Sequence, residues 1–165
     1  MRCLPRNQQA ANASVNSRFG NIDANADGFV TTDERLRTGV EGVYAVGDIV
    51  PGLQLAHRGF AQGIFVAEEI AGLDPQPIDE AGIPRVTYSH PEIASVGLDE
   101  AKATEQYGAD GIETLTYDLG GNGKSQILKT QGFVKLVRRT DGPVIGVHLV
   151  GDRVGELIGE AQLIY

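Results

Sequence analysis

Apolar residues in the first half of the chain predict one amphipathic helix. Between residues 53 and 71 they recur every three or four positions, as expected for one face of an α-helix. The stripe consists of Phe60, Ile64, Ala67 and Ala71. Gly72 ends the pattern, and the prolines that follow prevent its continuation. We therefore expect this helix to bury the stripe against a core.

Two short segments before the helix have the composition of strands. Residues 28–32 are rich in β-branched and aromatic side chains. Residues 43–46 form a tight apolar run that stops at Gly47 and Asp48. Such a run is typical of a strand that is buried on both faces and ends in a loop.

The second half of the chain predicts a sheet with interleaved helices. Strand candidates lie at residues 85–88, 112–117, 133–137 and 144–150, and helix candidates lie at residues 98–107, where Asp99 would open the helix, and 154–164. This arrangement is typical of an α+β unit, an antiparallel sheet with helices on one face. A Pro- and Asp-containing stretch at residues 74–82 predicts a linker between residues 22–73 and residues 83–165. Residues 1–21 read as an irregular or disordered segment.

Composition excludes several classes of function. The net charge is −8 and no run of basic residues occurs, so nucleic-acid binding is not expected. A lone cysteine, Cys3, excludes an internal disulfide. No apolar run approaches the length that spans a bilayer, so we expect no membrane association and a cytoplasmic location.

A calcium-loop pattern occurs at residues 23–34. Its oxygen-bearing residues and its glycine are Asp23, Asn25, Asp27, Gly28 and Glu34. That motif also needs a helix on each side, and a glycine-containing stretch at residues 38–42 leaves little room for the exit helix. The favoured interpretation is a hairpin turn built from Asp, Asn and Gly, with calcium binding as the alternative.

Gly47 and Asp48 occupy the place where open α/β sheets bind ligands, directly after a buried strand. A glycine allows close approach of the backbone to a ligand, and a carboxylate accepts hydrogen bonds from hydroxyl groups. The N-terminal amides of the next helix would favour negative charge on the same ligand. From spacing alone, a simple turn followed by a core helix remains the alternative.

These segments resemble the pyridine nucleotide-disulfide oxidoreductases. Residues 38–48 and 53–63 are similar to the second FAD-contacting segment of that family, and residues 83–97 are similar to the start of its dimerisation domain. Two later stretches, 132–136 and 145–151, are similar to the central strands of that domain. The resemblance is collinear over residues 22–165. It implies part of an FAD-binding domain at 22–73, a dimerisation domain at 83–165, and the end of an NAD domain at 1–21.

The resemblance also implies a set of cofactor-binding residues. They are Gly47, Asp48, Gln54, Leu55, Ala56 and His57. In this family the position of Asp48 holds the FAD ribitol chain, and the amides at Leu55 and Ala56 face the pyrimidine edge of the flavin. Gln54 stands where many members carry methionine, and His57 is expected to pack rather than to titrate.

The implied function is that of one part of a larger flavoenzyme. Members that oxidise dihydrolipoamide with NAD match best, because Leu55-Ala56-His57 is typical of them; a glutathione or mercuric reductase is the alternative. FAD and NAD are the implied cofactors, and a second copy of the chain and the acyltransferase of a 2-oxo acid dehydrogenase complex are the implied partners. The chemistry requires a CxxxxC pair and a His–Glu base pair. With Cys3 as the sole cysteine, we expect no catalytic residue in this chain and no metal site.

Overall fold

The computed structural model describes residues 22–165, which form two compact units that divide between Ile78 and Asp79. Unit one refers below to residues 22–78 and unit two to residues 79–165. The segment expected to be irregular, residues 1–21, lies outside the described residues. Within the described range, no helix is long and apolar enough to cross a membrane.

Unit one is built around a 3-10 turn at Gly47–Ile49 and helix α1, Ala56–Ile70. The strands predicted at residues 28–32 and 43–46 are wrong, because each segment makes only an isolated antiparallel bridge. The bridges join Ala24 to Val30 and Arg37 to Tyr44. A strand needs a ladder of hydrogen bonds to a neighbour in register, and the described residues of unit one provide none for these segments.

A small apolar cluster packs the hairpin closed by the Ala24–Val30 bridge against the Gly47–Ile49 turn. Its buried members are Ile22, Val30, Ala45 and Val50. The backbone amide of Val30 also donates to the carbonyl oxygen of Ile49 at 2.8 Å. The turn at Gly47–Ile49 is therefore supported from the side of the hairpin.

Helix α1 buries the face opposite to the predicted one. The buried residues are Arg58, Gln62 and Phe65. The predicted stripe is exposed, with Phe60 73% and Ile64 62% accessible, and Ala67 and Ala71 also exposed. The physical reason is that loop 47–53, which lies against this helix, presents polar backbone groups, and polar side chains satisfy these groups better than apolar ones.

Unit two is a five-stranded antiparallel sheet. Its strands are β1 Arg85–Thr87, β2 Glu92–Gly97, β3 Ile112–Asp118, β4 Phe133–Arg139 and β5 Val144–Gly151. The order across the sheet is β1-β2-β5-β4-β3, so β5 lies in the centre. The predicted antiparallel sheet is confirmed, and the four predicted strands correspond to β1, β3, β4 and β5.

Strand β2 was missing from the predicted strands. It contains alanine, serine and glycine, which have little preference for strands on their own. Its pairing with β1 and β5 on either side provides the order instead, with Ala94 opposite Leu149 and Val96 opposite Val147. Ala94 and Val96 are fully buried, so tertiary packing overrides the weak local preference.

Three helices accompany the sheet: α2 Glu100–Tyr107, α3 Gly123–Leu128 and α4 Ile158–Ile164. The predicted start of α2 is confirmed, since the Asp99 carboxylate accepts from the amide of Lys102 at 2.9 Å and caps the helix. Helix α3 was not predicted. The last predicted helix begins later than expected, because its first residues form a 3-10 turn, Val154–Leu157.

Helices α2 and α4 pack on one face of the sheet. Alternate residues of β5 point to the same face, and these are Ile145, Val147 and Leu149. Ala103 of α2 belongs to the cluster with Ile145, while Ala161 of α4 belongs to the cluster with Val147 and Leu149. Unit two therefore has the predicted α+β architecture.

Candidate functional site

The segment with the calcium-loop pattern is a hairpin turn, as the favoured interpretation predicted. The Asn25 side-chain oxygen accepts from the amides of Asp27 and Phe29, both at 3.0 Å, and so stabilises the turn. Residues 33–36 form a turn where the calcium motif needs an exit helix. In residues 22–165, no group of three or more His, Cys, Asp or Glu side chains is arranged to hold a metal ion.

The Gly47–Ile49 turn presents Asp48 to solvent. Val46 is extended, with φ −141° and ψ 161°, and Gly47 then takes a φ of +76°, which favours glycine. The amide of Val50 closes the turn by donating to the carbonyl oxygen of Gly47 at 3.2 Å. Asp48 lies within this turn and is exposed.

The N-terminus of α1 has no side-chain cap from its N-cap residue. Leu55 is extended, with φ −132° and ψ 131°, and a leucine side chain cannot accept a hydrogen bond from the first turn. Leu55 is half-buried, whereas Gln54, Ala56 and His57 are exposed. The partial positive charge of a helix N-terminus suits a ligand group that is or becomes negative.

Helix α1 and the Gly47 turn are in direct contact. A Cβ atom on Gly59 would lie 3.5 Å from the Cα of Gly47, so a small residue on the helix allows the close approach. The side-chain oxygen of Gln62 accepts from the amide of Gly47 at 2.6 Å. The structure therefore brings the turn that carries Asp48 onto the first two turns of the helix that follows Leu55.

Arg58 holds the remainder of the loop and was not singled out from the sequence. Its guanidinium donates from Nη2 to the carbonyl oxygen of Pro51 at 2.6 Å and from Nη1 to that of Leu53 at 3.3 Å. Gly52, with φ +124°, leaves the space that this side chain fills. The available signal was the spacing of Arg58 and Gln62, two long polar side chains one helical turn apart.

A second polar cluster holds the segment before the Gly47 turn against the far end of α1. Arg35 and Arg37 both form ion pairs with Glu69, whose side chain is only 7% exposed. The Arg35 guanidinium also lies 5.6 Å from the ring centre of Phe65. Hydrogen bonds from Arg35, followed by those from Arg37, hold the pKa of Glu69 below its ordinary value.

This cluster predicts a loss of stability at acidic pH. A carboxyl group with a lowered folded-state pKa stabilises the fold above its unfolded pKa, and the contribution is lost as pH falls from about 4.5 through the folded value. We expect the Glu69→Gln variant to melt at a lower temperature than the wild type at pH 7. On acidification, its melting temperature should fall by less than that of the wild type. Thermal melts between pH 7 and pH 3 measure both effects.

Glu68→Gln is the matched control for this prediction. Glu68 is the neighbouring residue of α1 and lies outside the cluster, so its replacement should change the melting temperature little at either pH. Parallel pH profiles for the wild type and Glu69→Gln would contradict the assignment of this acid-sensitive contribution to Glu69.

Comparison with known proteins identifies the family. Residues 83–165 match the model of the pyridine nucleotide-disulphide oxidoreductase dimerisation domain, and residues 9–63 match the model named pyridine nucleotide-disulphide oxidoreductase. The chain belongs to the pyridine nucleotide-disulphide oxidoreductase family, whose members use FAD and NAD.

Several curated relatives of the chain are named dihydrolipoyl dehydrogenase. The chain is 43% identical over 144 residues to the dihydrolipoyl dehydrogenase of Bacillus subtilis, covering 86% of this chain and 30% of the relative. It is 40% identical over 139 residues to that of Corynebacterium glutamicum, covering 82% and 30%. A crystal structure of LpdA from Mycobacterium tuberculosis matches with a TM-score of 0.78 at 29% identity, covering 87% of this chain and 31% of that one. The chain thus spans about 30% of the length of its curated relatives.

Proposed function

We propose that this chain is part of an FAD-dependent dihydrolipoyl dehydrogenase, which reoxidises dihydrolipoamide with NAD. The observation that carries the proposal is the contact of the Gly47 turn, which bears the exposed residue Asp48, with Gly59 and Gln62 in the first two turns of α1. Two curated relatives with the name dihydrolipoyl dehydrogenase support it. A glutathione or mercuric reductase is the alternative.

The residues on this side of the site fit FAD. Asp48 is exposed and can accept hydrogen bonds from the hydroxyl groups of the ribitol chain. The backbone amides at Leu55 and Ala56 would face the pyrimidine edge of the flavin, where the positive end of the helix stabilises negative charge. Exposed Gln54 and His57 would flank the ring. Bound flavin would supply the electron transfer between the thiol substrate and the nicotinamide.

The chain by itself is proposed to be inactive. Electron transfer through a protein disulfide needs two cysteines, and the 165 residues include one, Cys3. The paired cysteines and the His–Glu base would therefore come from other parts of the whole protein or of its partner copy. In this proposal, residues 22–73 contribute one wall of the flavin site, residues 74–82 form a linker, and residues 83–165 form the dimerisation domain.

The proposed assembly is a homodimer that serves the acyltransferase of a 2-oxo acid dehydrogenase complex. The match of residues 83–165 to a dimerisation domain supports the dimer. Large apolar side chains on unit two are exposed: Leu115 at 64%, Tyr117 at 59% and Leu163 at 89%. Exposed apolar surface of this kind is typical of a protein interface.

A segment swap tests the proposed function. The matching 144-residue segment of the Bacillus subtilis relative would be replaced by the corresponding part of this chain, giving a swap protein of full length. We expect it to purify as a yellow dimer, with FAD measured by absorbance at 450 nm, and to oxidise dihydrolipoamide with NAD. A folded dimer without flavin would contradict the proposal. The same swap into a glutathione reductase should retain less FAD and activity, because its interfaces differ.

A further inference from the structure

Loop 47–53, between the turn that bears Asp48 and the helix start at Leu55, is held by two buried polar side chains of α1. Gln62 is 0% exposed and Arg58 is 3% exposed. These two residues lie one helical turn apart, so both face the loop. Long polar side chains are rarely buried this completely unless their hydrogen bonds have a role.

Gln62 makes its hydrogen bond at one end of the side chain only. Its Oε1 accepts from the amide of Gly47 at 2.6 Å, which sets the orientation of the side-chain amide. Its Nε2 is buried and meets no acceptor in the part of the chain that the structure describes. A buried donor without a partner costs stability. Gln62 is therefore poorly explained as a residue chosen for packing alone.

The contact of Gln62 is with the residue directly before Asp48. Gly47 is in the left-handed region, with φ +76°, and its amide direction determines how the chain enters the 3-10 turn. Arg58 holds the other end of the loop through the carbonyl oxygens of Pro51 and Leu53. Side chains of one helix thus form hydrogen bonds with both ends of the loop.

We propose that Gln62 is a positioning residue for the flavin site: through its hydrogen bond to Gly47 it holds the Asp48 turn in register with the N-terminus of α1. The proposal rests on the proposed function for the identity of the ligand. The hydrogen bond itself and its effect on the turn are properties of this chain and can be measured without FAD.

The first test measures the turn in the 165-residue chain. Hydrogen exchange of the Gly47 amide, followed by NMR, is compared in the wild type, Gln62→Met and Gln62→Glu. Methionine keeps the length and flexibility of the side chain but removes the acceptor, so we expect exchange at Gly47 to accelerate about tenfold or more. Glutamate keeps an acceptor oxygen, so we expect protection to return. Unchanged exchange in Gln62→Met would overturn the proposal.

The second test measures FAD in the swap protein. We expect Gln62→Met to raise the FAD dissociation constant about tenfold, and Gln62→Glu to restore most of the affinity. The melting temperature of the flavin-free Gln62→Met variant should change little, because the substitution removes the unpaired buried donor and the hydrogen bond to Gly47 together, and these two effects oppose each other. A purely structural role would instead lower the melting temperature together with the affinity, and that result would overturn the positioning role.

Failure of the proposed function and failure of this inference give different results. A swap protein that binds no FAD with Gln62 intact contradicts the proposed function, while exchange at Gly47 still decides whether Gln62 holds the turn. Normal FAD affinity in Gln62→Met contradicts the inference and leaves the proposed function standing. Gln106→Met is the matched control, since Gln106 is an exposed helical glutamine in unit two and its replacement should change neither measurement.

Discussion

Replacing Gly146 by alanine should destabilise unit two by more than about 3 kcal/mol. The added methyl group would clash with backbone atoms, and such a clash costs more than a methyl group added among core side chains. Gly146 lies in the central strand β5 and is buried. A Cβ atom there would sit well inside contact distance of the Leu98 carbonyl oxygen and 3.0 Å from its carbonyl carbon. Leu98 cannot easily move, because its amide donates to the carbonyl oxygen of Ile145 at 2.7 Å. Urea unfolding of the 165-residue chain measures the loss.

Gly159→Ala provides the matched control for this substitution. Gly159 lies in helix α4, is exposed, and a Cβ atom there would meet nothing within 4 Å. Alanine is a better helix former than glycine, so we expect a gain of about 0.5–1 kcal/mol. The same glycine-to-alanine change is thus predicted to lower the free energy of unfolding at Gly146 and to raise it at Gly159. A loss of similar size in both variants would show that the Leu98 contact is not the cause.

Replacing Asp48 by alanine should weaken FAD binding by the swap protein about 10- to 100-fold, the loss expected for hydrogen bonds to a charged acceptor. Asp48 is exposed, so we expect the flavin-free protein to melt within a few degrees of the parent. The Asp48→Asn variant keeps one acceptor oxygen without the charge. Its FAD dissociation constant should therefore lie between that of the parent swap protein and that of Asp48→Ala. Titration of apo-protein with FAD, followed by flavin fluorescence, gives the dissociation constants.

Asp27→Ala is the control for the loss of a negative charge in unit one. Asp27 is an exposed residue of the hairpin turn and is not among the proposed FAD contacts. Its replacement should leave the FAD dissociation constant unchanged. Equal losses of affinity in Asp27→Ala and Asp48→Ala would indicate a general charge effect and would remove Asp48 from the proposed site.

The Asp48 and Gln62 variants test a direct contact and an indirect contribution at the same site. Asp48 would touch the ligand, whereas Gln62 would act through the backbone at Gly47. If both roles hold, the double variant Asp48→Ala with Gln62→Met should bind FAD little worse than Asp48→Ala alone, because the turn no longer carries the group that it positions. Additive losses would instead indicate that Gln62 contributes to FAD binding by a separate route.

Much of unit two could be predicted from the sequence because its signals are local. The strands β3, β4 and β5 have continuous β-prone runs bounded by turn residues, and Asp99 marks the start of α2 through its own side chain. Strand β2 could not be predicted in this way. Its small residues become ordered only because β1 and β5 pair with it on either side.

The sequence by itself determined the antiparallel character of unit two, the hairpin at residues 23–34 and the succession of a glycine-aspartate turn and a helix, since each depends on neighbouring residues. Only the tertiary structure decided which side of α1 is buried. A periodic pattern defines a stripe on a helix, but burial depends on what stands opposite. Here loop 47–53 presents polar backbone groups, so Arg58 and Gln62 face inward while Phe60 and Ile64 stay exposed.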